Sequence, residues 1–148
     1  MLYIYYHTRI YEIIAKQLQN TYKTSILINN FDQNDKEKNL YIILGGHMLN
    51  YSNMPPNYII FQLEQTTWQN SYFNNNYKNI LFYAKEIWDY SIINIINISS
   101  YIKQIDIKYV PLMYLESAEY NIPENENKDI DILFYGTTSQ RRRDYENT

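Results

Sequence analysis

The chain of 148 residues contains no cysteine. That excludes disulfides, a thiolate nucleophile and any cysteine-based zinc site, while leaving the redox compartment open. Glycine is scarce, and its 3 residues never form G-x-G-x-x-G; a Walker lysine is missing too, so neither phosphate fingerprint is present. Positive charge is not in excess. A net charge of −3 and a pI of about 5.3 remove the electrostatic footprint of a nucleic-acid binder, despite the many aromatics. No apolar run approaches the roughly 20 residues that span a bilayer. Met1–Arg9 lacks both the basic region and the apolar length of a signal peptide. A cytoplasmic protein with no membrane span is the expectation.

What is present is a globular composition, 45% apolar and 20% charged, at a length that suits one domain with a piece of a second. The 18 tyrosines, with abundant Ile, Asn and Lys, read as an A+T-rich coding bias. Tyr stripes and Asn clusters therefore carry less functional information than usual.

Periodicity supplies the elements. Leu2–Tyr6, Ser25–Asn29, Leu40–Leu44 and Tyr58–Leu63 are short apolar runs of the buried-strand kind; Glu86–Trp88 and Ile107–Leu112 are further strands. Between them Arg9–Tyr22 is a helix with Ile10, Ile13, Ile14 and Leu18 on one face. Trp68–Lys85 is helical in its second half, through Tyr77, Ile80, Leu81 and Ala84. Ile92–Gln104 follows Ser91, which suits a cap, and its apolar set is Ile92, Ile95, Ile96 and Ile102. Pro55-Pro56 breaks any helix in 48–57. Alternating strands and helices predict an α/β fold, a Rossmann-like parallel sheet with flanking helices. Residues 1–118 form that domain and 119–128 a linker. Residues 129–148 hold one strand, Asp129–Tyr135, closed by Gly136, the start of a truncated second domain.

Polar residues gather at the expected carboxyl ends of the strands, where an open α/β sheet receives ligands. Gln62, Glu64 and Gln65 end the fourth strand and could bind vicinal hydroxyls, or could cap the strand and bond a neighbouring loop. Asp89 is an acid, a base, a hydroxyl ligand or a structural carboxylate; Trp88 reads as core. Gly45-Gly46-His47 is first a turn, and His47 shares its edge with His7, which suits a hydrogen-bonded structural role. Two histidines without a third clustered ligand argue against a metal. Gly136–Arg143, a strand–turn–helix start with the hydroxyls of Thr137, Thr138 and Ser139 and the guanidiniums of Arg141, Arg142 and Arg143, would suit a diphosphate, or form a solvated basic tail.

Gln62-Leu-Glu-Gln65, Trp88-Asp-Tyr-Ser91 with Asn94, Val110-Pro-Leu112 with Tyr114, Asp129–Gly136 and Arg141-Arg142 together resemble GT-B type glycosyltransferases of large DNA viruses and some bacteria. The resemblance spans about residues 58–143. It implies two Rossmann-like domains facing a cleft, the first taking a sugar or glycan acceptor and the second a nucleotide-sugar donor. Gln62, Glu64 and Asp89 would line the acceptor side; Gly136, Arg141 and Arg142 would approach the donor phosphates. Nearly all the family's donor-binding residues would lie beyond Thr148. The chain is therefore expected to be the acceptor-side half, inactive alone, with no cofactor of its own unless a partner chain supplies the donor domain; a viral member would work in host cytoplasm. The alternative is a non-catalytic Rossmann-like module that docks a partner.

Overall fold

The computed structural model describes residues 1–31, 38–66 and 73–112. Within them six strands pair in one sheet: β1 (Leu2–Tyr6), β2 (Ile26–Ile28), β3 (Leu40–Leu44), β4 (Tyr58–Gln62), β5 (Glu86–Asp89) and β6 (Asp106–Tyr109). Their order is β2-β1-β3-β4-β5-β6, and every pair is parallel. The α/β, Rossmann-like expectation is met at this level. Parallel strands are covered on both faces, so central ones read as continuous apolar runs. β4 is buried at every position, and β3 at all but its first. The edge strand β6 is mostly exposed and charged: Lys108 bridges Glu86 at 2.9 Å and Asp106 at 3.6 Å, which discourages further strand addition.

Alternation along the strands divides the core in two. Tyr5, Ile43, Tyr58, Ile60 and Ile87 face one way, beneath α2 (Asn75–Phe82) and α3 (Ile92–Tyr101). Ile4, Ile42, Leu44, Ile59 and Phe61 face the other way, beneath α1 (Glu12–Thr21).

The helices depart from expectation in phase rather than in place. Arg9–Tyr11 is a 3₁₀ turn, and α1 starts only at Glu12. The tighter turn advances the helix face, so Tyr11 is buried and Ile10 is 80% exposed. In α2, Tyr77, Ile80 and Leu81 are buried as expected, and Asn74 caps the first turn by accepting from the Tyr77 amide at 3.0 Å. Residues 68–72, the start of the segment expected to be helical in its second half, lie outside the described residues. Ser91 caps α3, its hydroxyl accepting from the Asn94 amide at 3.4 Å. The expected apolar face of α3 is corrected, however. Asn94, Ile98 and Ile102 are buried, whereas Ile92, Ile93 and Ile96 stand in solvent. Residues 46–53 form two 3₁₀ turns, Gly46–Met48 and Tyr51–Asn53. The expected linker over 119–128 and the expected second unit from Asp129 lie outside the described residues.

No helix of the described residues is long and apolar enough to cross a membrane. From β1 the chain steps out to β2 and then returns past β1 to β3. That reversal makes the carboxyl ends of β1 and β3 the topological switch point, beside the ends of β4 and β5.

Candidate functional site

Each of these four strands delivers a polar group to the carboxyl edge. β1 runs into His7, an exposed residue whose Nδ1 lies 3.0 Å from the Tyr5 hydroxyl. β3 runs into Gly45, Gly46 and His47, and the turn has a steric cause. Gly45 takes a left-handed φ of 78°, and a Cβ there would lie 2.7 Å from the Tyr11 ring and 3.2 Å from His7 Cβ. The backbone of this turn therefore closes directly on Tyr11. His47 is buried, its ring edge-on to Tyr77 at 6.0 Å between centroids. Burial holds its imidazole below the usual pKa, the Glu64 charge opposes that, and His7 adds to it.

β4 ends on Gln62, which is 2% exposed and committed at both ends of its amide. Its Oε1 accepts from the Tyr77 hydroxyl, and its Nε2 donates to the Glu64 carbonyl at 3.0 Å. The dry setting pushes the Tyr77 hydroxyl well above its usual pKa, burial first and the Asp89 charge second. Glu64 is half-buried, and its Oε1 accepts from the Tyr11 hydroxyl at 2.9 Å. Gln65 is exposed.

β5 ends on Asp89, the register partner of Gln62 and wholly buried. Its Oδ1 accepts from the Ser91 amide at 2.8 Å and from Asn94 Nδ2 at 3.1 Å. Among the described residues its Oδ2 has no hydrogen-bond partner. Burial pushes this carboxyl up to about 6, against the lowering effect of the Ser91 amide, Asn94 and the Tyr90 amide.

Of the residues the sequence offers, the structure thus gathers His7, His47, Gln62, Glu64, Gln65 and Asp89 at one edge. They fall into two layers. Gln62 and Asp89 are interior and spent on holding neighbours, while Glu64, Gln65 and His7 reach solvent. Gly136, Arg141 and Arg142 lie outside the described residues. Sequence reasoning did not find Tyr11, Tyr77 or Thr66 as members of this cluster, and it met Asn94 only within the family resemblance. In a chain with 18 tyrosines and many asparagines, no spacing distinguishes these four from their neighbours.

Concavities among the described residues lie on other parts of the sheet. At the opposite, amino edge of the sheet, Lys38, Asn39, Asn57, Lys85 and Glu86 line a space of about 340 Å³. Between α1 and the β5–β6 side lies an apolar groove of about 500 Å³, lined by Ile14, Leu18, Tyr22, Phe61, Trp88 and Val110. Trp88, read from the sequence as core, is half-buried there and stacks on Tyr22 at 6.4 Å. Among the described residues no group of three or more His, Asp or Glu side chains is placed to hold a metal ion. No protein-family model matches the chain, and no curated protein and no solved structure matches it either.

Proposed function

We propose that the carboxyl edge binds a polyhydroxylated ligand, a sugar or glycan, and that the domain is the acceptor-side half of a GT-B type glycosyltransferase. The carrying observation is the stance of Glu64. Its carboxylate is held at one oxygen by Tyr11, its carbonyl is held by two buried amides, and an uncharged imidazole stands nearby. A carboxylate fixed in this way accepts from vicinal hydroxyls with little ordering left to do. Gln65 adds an amide that both donates and accepts. On this reading the nucleotide-sugar donor is held by a second unit, in the same chain or on a partner, and these residues bind and orient the acceptor.

Thermal unfolding in the presence of glucose, galactose, mannose and N-acetylglucosamine tests the binding claim. A sugar that binds the folded state raises Tm in a concentration-dependent way. The rise is expected for at least one of the four and is expected to vanish in Glu64→Ala. A flat series for all four would overturn the reading.

A second reading, a non-catalytic docking module, is supported by a different observation, the apolar groove between α1 and the β5–β6 side. Its occupant would be a partner presenting an apolar helix, the element that covers the rest of this sheet. Trp88→Ala that abolishes partner capture while leaving sugar-induced stabilisation intact would favour it for that face alone.

A further inference from the structure

Glu64 stands where two buried polar arms meet, and one arm is governed by Asn94. The Glu64 carbonyl accepts from Gln62 Nε2 at 3.0 Å and from Asn94 Nδ2 at 2.8 Å. Asn94 is buried on the first turn of α3, 30 residues further along the chain. Its Nδ2 also donates to Asp89 Oδ1 at 3.1 Å. Its Oδ1 accepts from both the amide and the hydroxyl of Thr66, each at 3.1 Å. A carboxamide offers two donor hydrogens and two acceptor lone pairs, so these bonds exhaust it.

The same bonds decide which way round the amide lies. Turned over, its oxygen would face the Asp89 carboxylate and the Glu64 carbonyl, and its NH₂ would face the Thr66 N–H. Only the Thr66 hydroxyl could rotate to suit. The orientation is therefore dictated from β5 on one side and from the 64–66 segment on the other. An ionised Asp89 strengthens the hold, because a hydrogen bond to a carboxylate is roughly twice as strong as one between neutral groups.

We propose that Asn94 is the positioning residue of the carboxyl-edge site: its amide sets the stance of Glu64 and so the affinity of the edge for a hydroxylated ligand. The inference rests on the sugar-binding reading of that edge. Asn94 does not touch the ligand; it acts through the Glu64–Thr66 backbone. The titratable groups around the Asp89–Asn94 pair are Tyr77 from α2, Glu64 beyond β4 and Tyr90 next along the chain.

The discriminating variant is Asn94→Asp. It keeps the acceptor for Thr66 and places a second carboxyl against Asp89, so that the pair shares one proton in acid and loses it, both carboxylates ionising against each other, as pH rises. With that proton in place, one of the two lost donor bonds is restored. Sugar affinity would be measured for wild type, Asn94→Ala and Asn94→Asp at about pH 5 and about pH 8, wild type carrying the titration of Asp89 itself. Asn94→Ala is expected to bind about tenfold more weakly at both, the size of one well-placed hydrogen bond. Asn94→Asp is expected to match it at the higher pH and to recover towards wild type at the lower.

Equal binding by all three proteins, or an Asn94→Asp defect that acid does not relieve, would overturn the proposal. Hydrogen exchange at the Thr66 amide separates this outcome from failure of the sugar reading. Were wild type to bind no sugar, Thr66 exchange faster than global opening in Asn94→Ala would still support the anchoring, and unchanged exchange would refute it. Should Asn94→Ala fail to fold, the acid recovery of Asn94→Asp decides alone.

Discussion

The Tyr77 hydroxyl donates to Gln62 Oε1 inside the sheet–helix interior, joining the middle of α2 to the last residue of β4. Both residues are nearly devoid of solvent contact, at 1% and 2% exposure. Because the Gln62 amide also holds the Glu64 carbonyl, this bond is a structural support of the candidate site.

Tyr77→Phe keeps the ring and removes the donor, leaving a buried amide oxygen unsatisfied. A loss of about 1–3 kcal/mol is expected, read from the urea midpoint at constant m-value. Adding Gln62→Leu removes the unsatisfied oxygen but also the bond to the Glu64 carbonyl, so the double variant should lose less than the sum of the two single losses. A single variant as stable as wild type would show that the bond is not formed.

Asp89 makes the fold sensitive to pH. Its carboxyl lies at about 6 when folded, against an ordinary 3.8, so the folded state binds the proton more tightly. This contribution is fully present below about pH 4 and is lost as pH rises through 6, where the buried group ionises; the full difference is about 3 kcal/mol. His47 works in the opposite sense. Its folded pKa is depressed, so its contribution falls away as pH drops below 6.5. The informative quantity is therefore a difference. Wild type minus Asp89→Asn should gain stability from pH 7 to pH 5, and a flat difference would contradict the burial of an ionising Asp89.

Gly45 and Gly46 stand side by side and should respond differently to alanine. At Gly45 the left-handed backbone costs a side chain about 1–2 kcal/mol, and the Cβ also collides with the Tyr11 ring that orients Glu64. At Gly46 the nearest atom is the movable end of Ile60, at 3.0 Å. Thermal denaturation should show the larger loss for Gly45→Ala, with weaker sugar binding beside it. Equal losses would contradict the turn geometry.

The rotation of α3 is checked by two isoleucines. Ile98→Ala empties a fully buried position and should cost about 2–5 kcal/mol, whereas Ile93, 69% exposed, should tolerate alanine almost freely. The reverse ranking would place the other face of the helix on the sheet.

These elements also show what the sequence discloses. Tyr58–Gln62 is readable because a strand buried on both faces is an unbroken apolar run, and Ser91 because a helix cap is a local device. The phase of α3 is hidden, since Ile92, Ile93, Ile95, Ile96 and Ile98 offer an apolar residue on every side. What fixes the rotation is the polar Asn94 turned inward, and its partners Glu64 and Thr66 are remote in sequence. The 3₁₀ start that exposes Ile10 likewise leaves no mark on the periodicity. Gln62 and Asp89 are legible as polar strand ends. Their burial is not, because it follows from Tyr77 and α3 closing over them.

Chemical-shift mapping on the isotope-labelled chain tests the carboxyl-edge claim most directly, using whichever sugar raises Tm. The expected result is a saturable set of shifts at His7, Glu64, Gln65 and Thr66, with Asn39, Asn57 and Lys85 of the opposite edge unmoved. Shifts confined to that amino edge, or no shift at either edge, would contradict it.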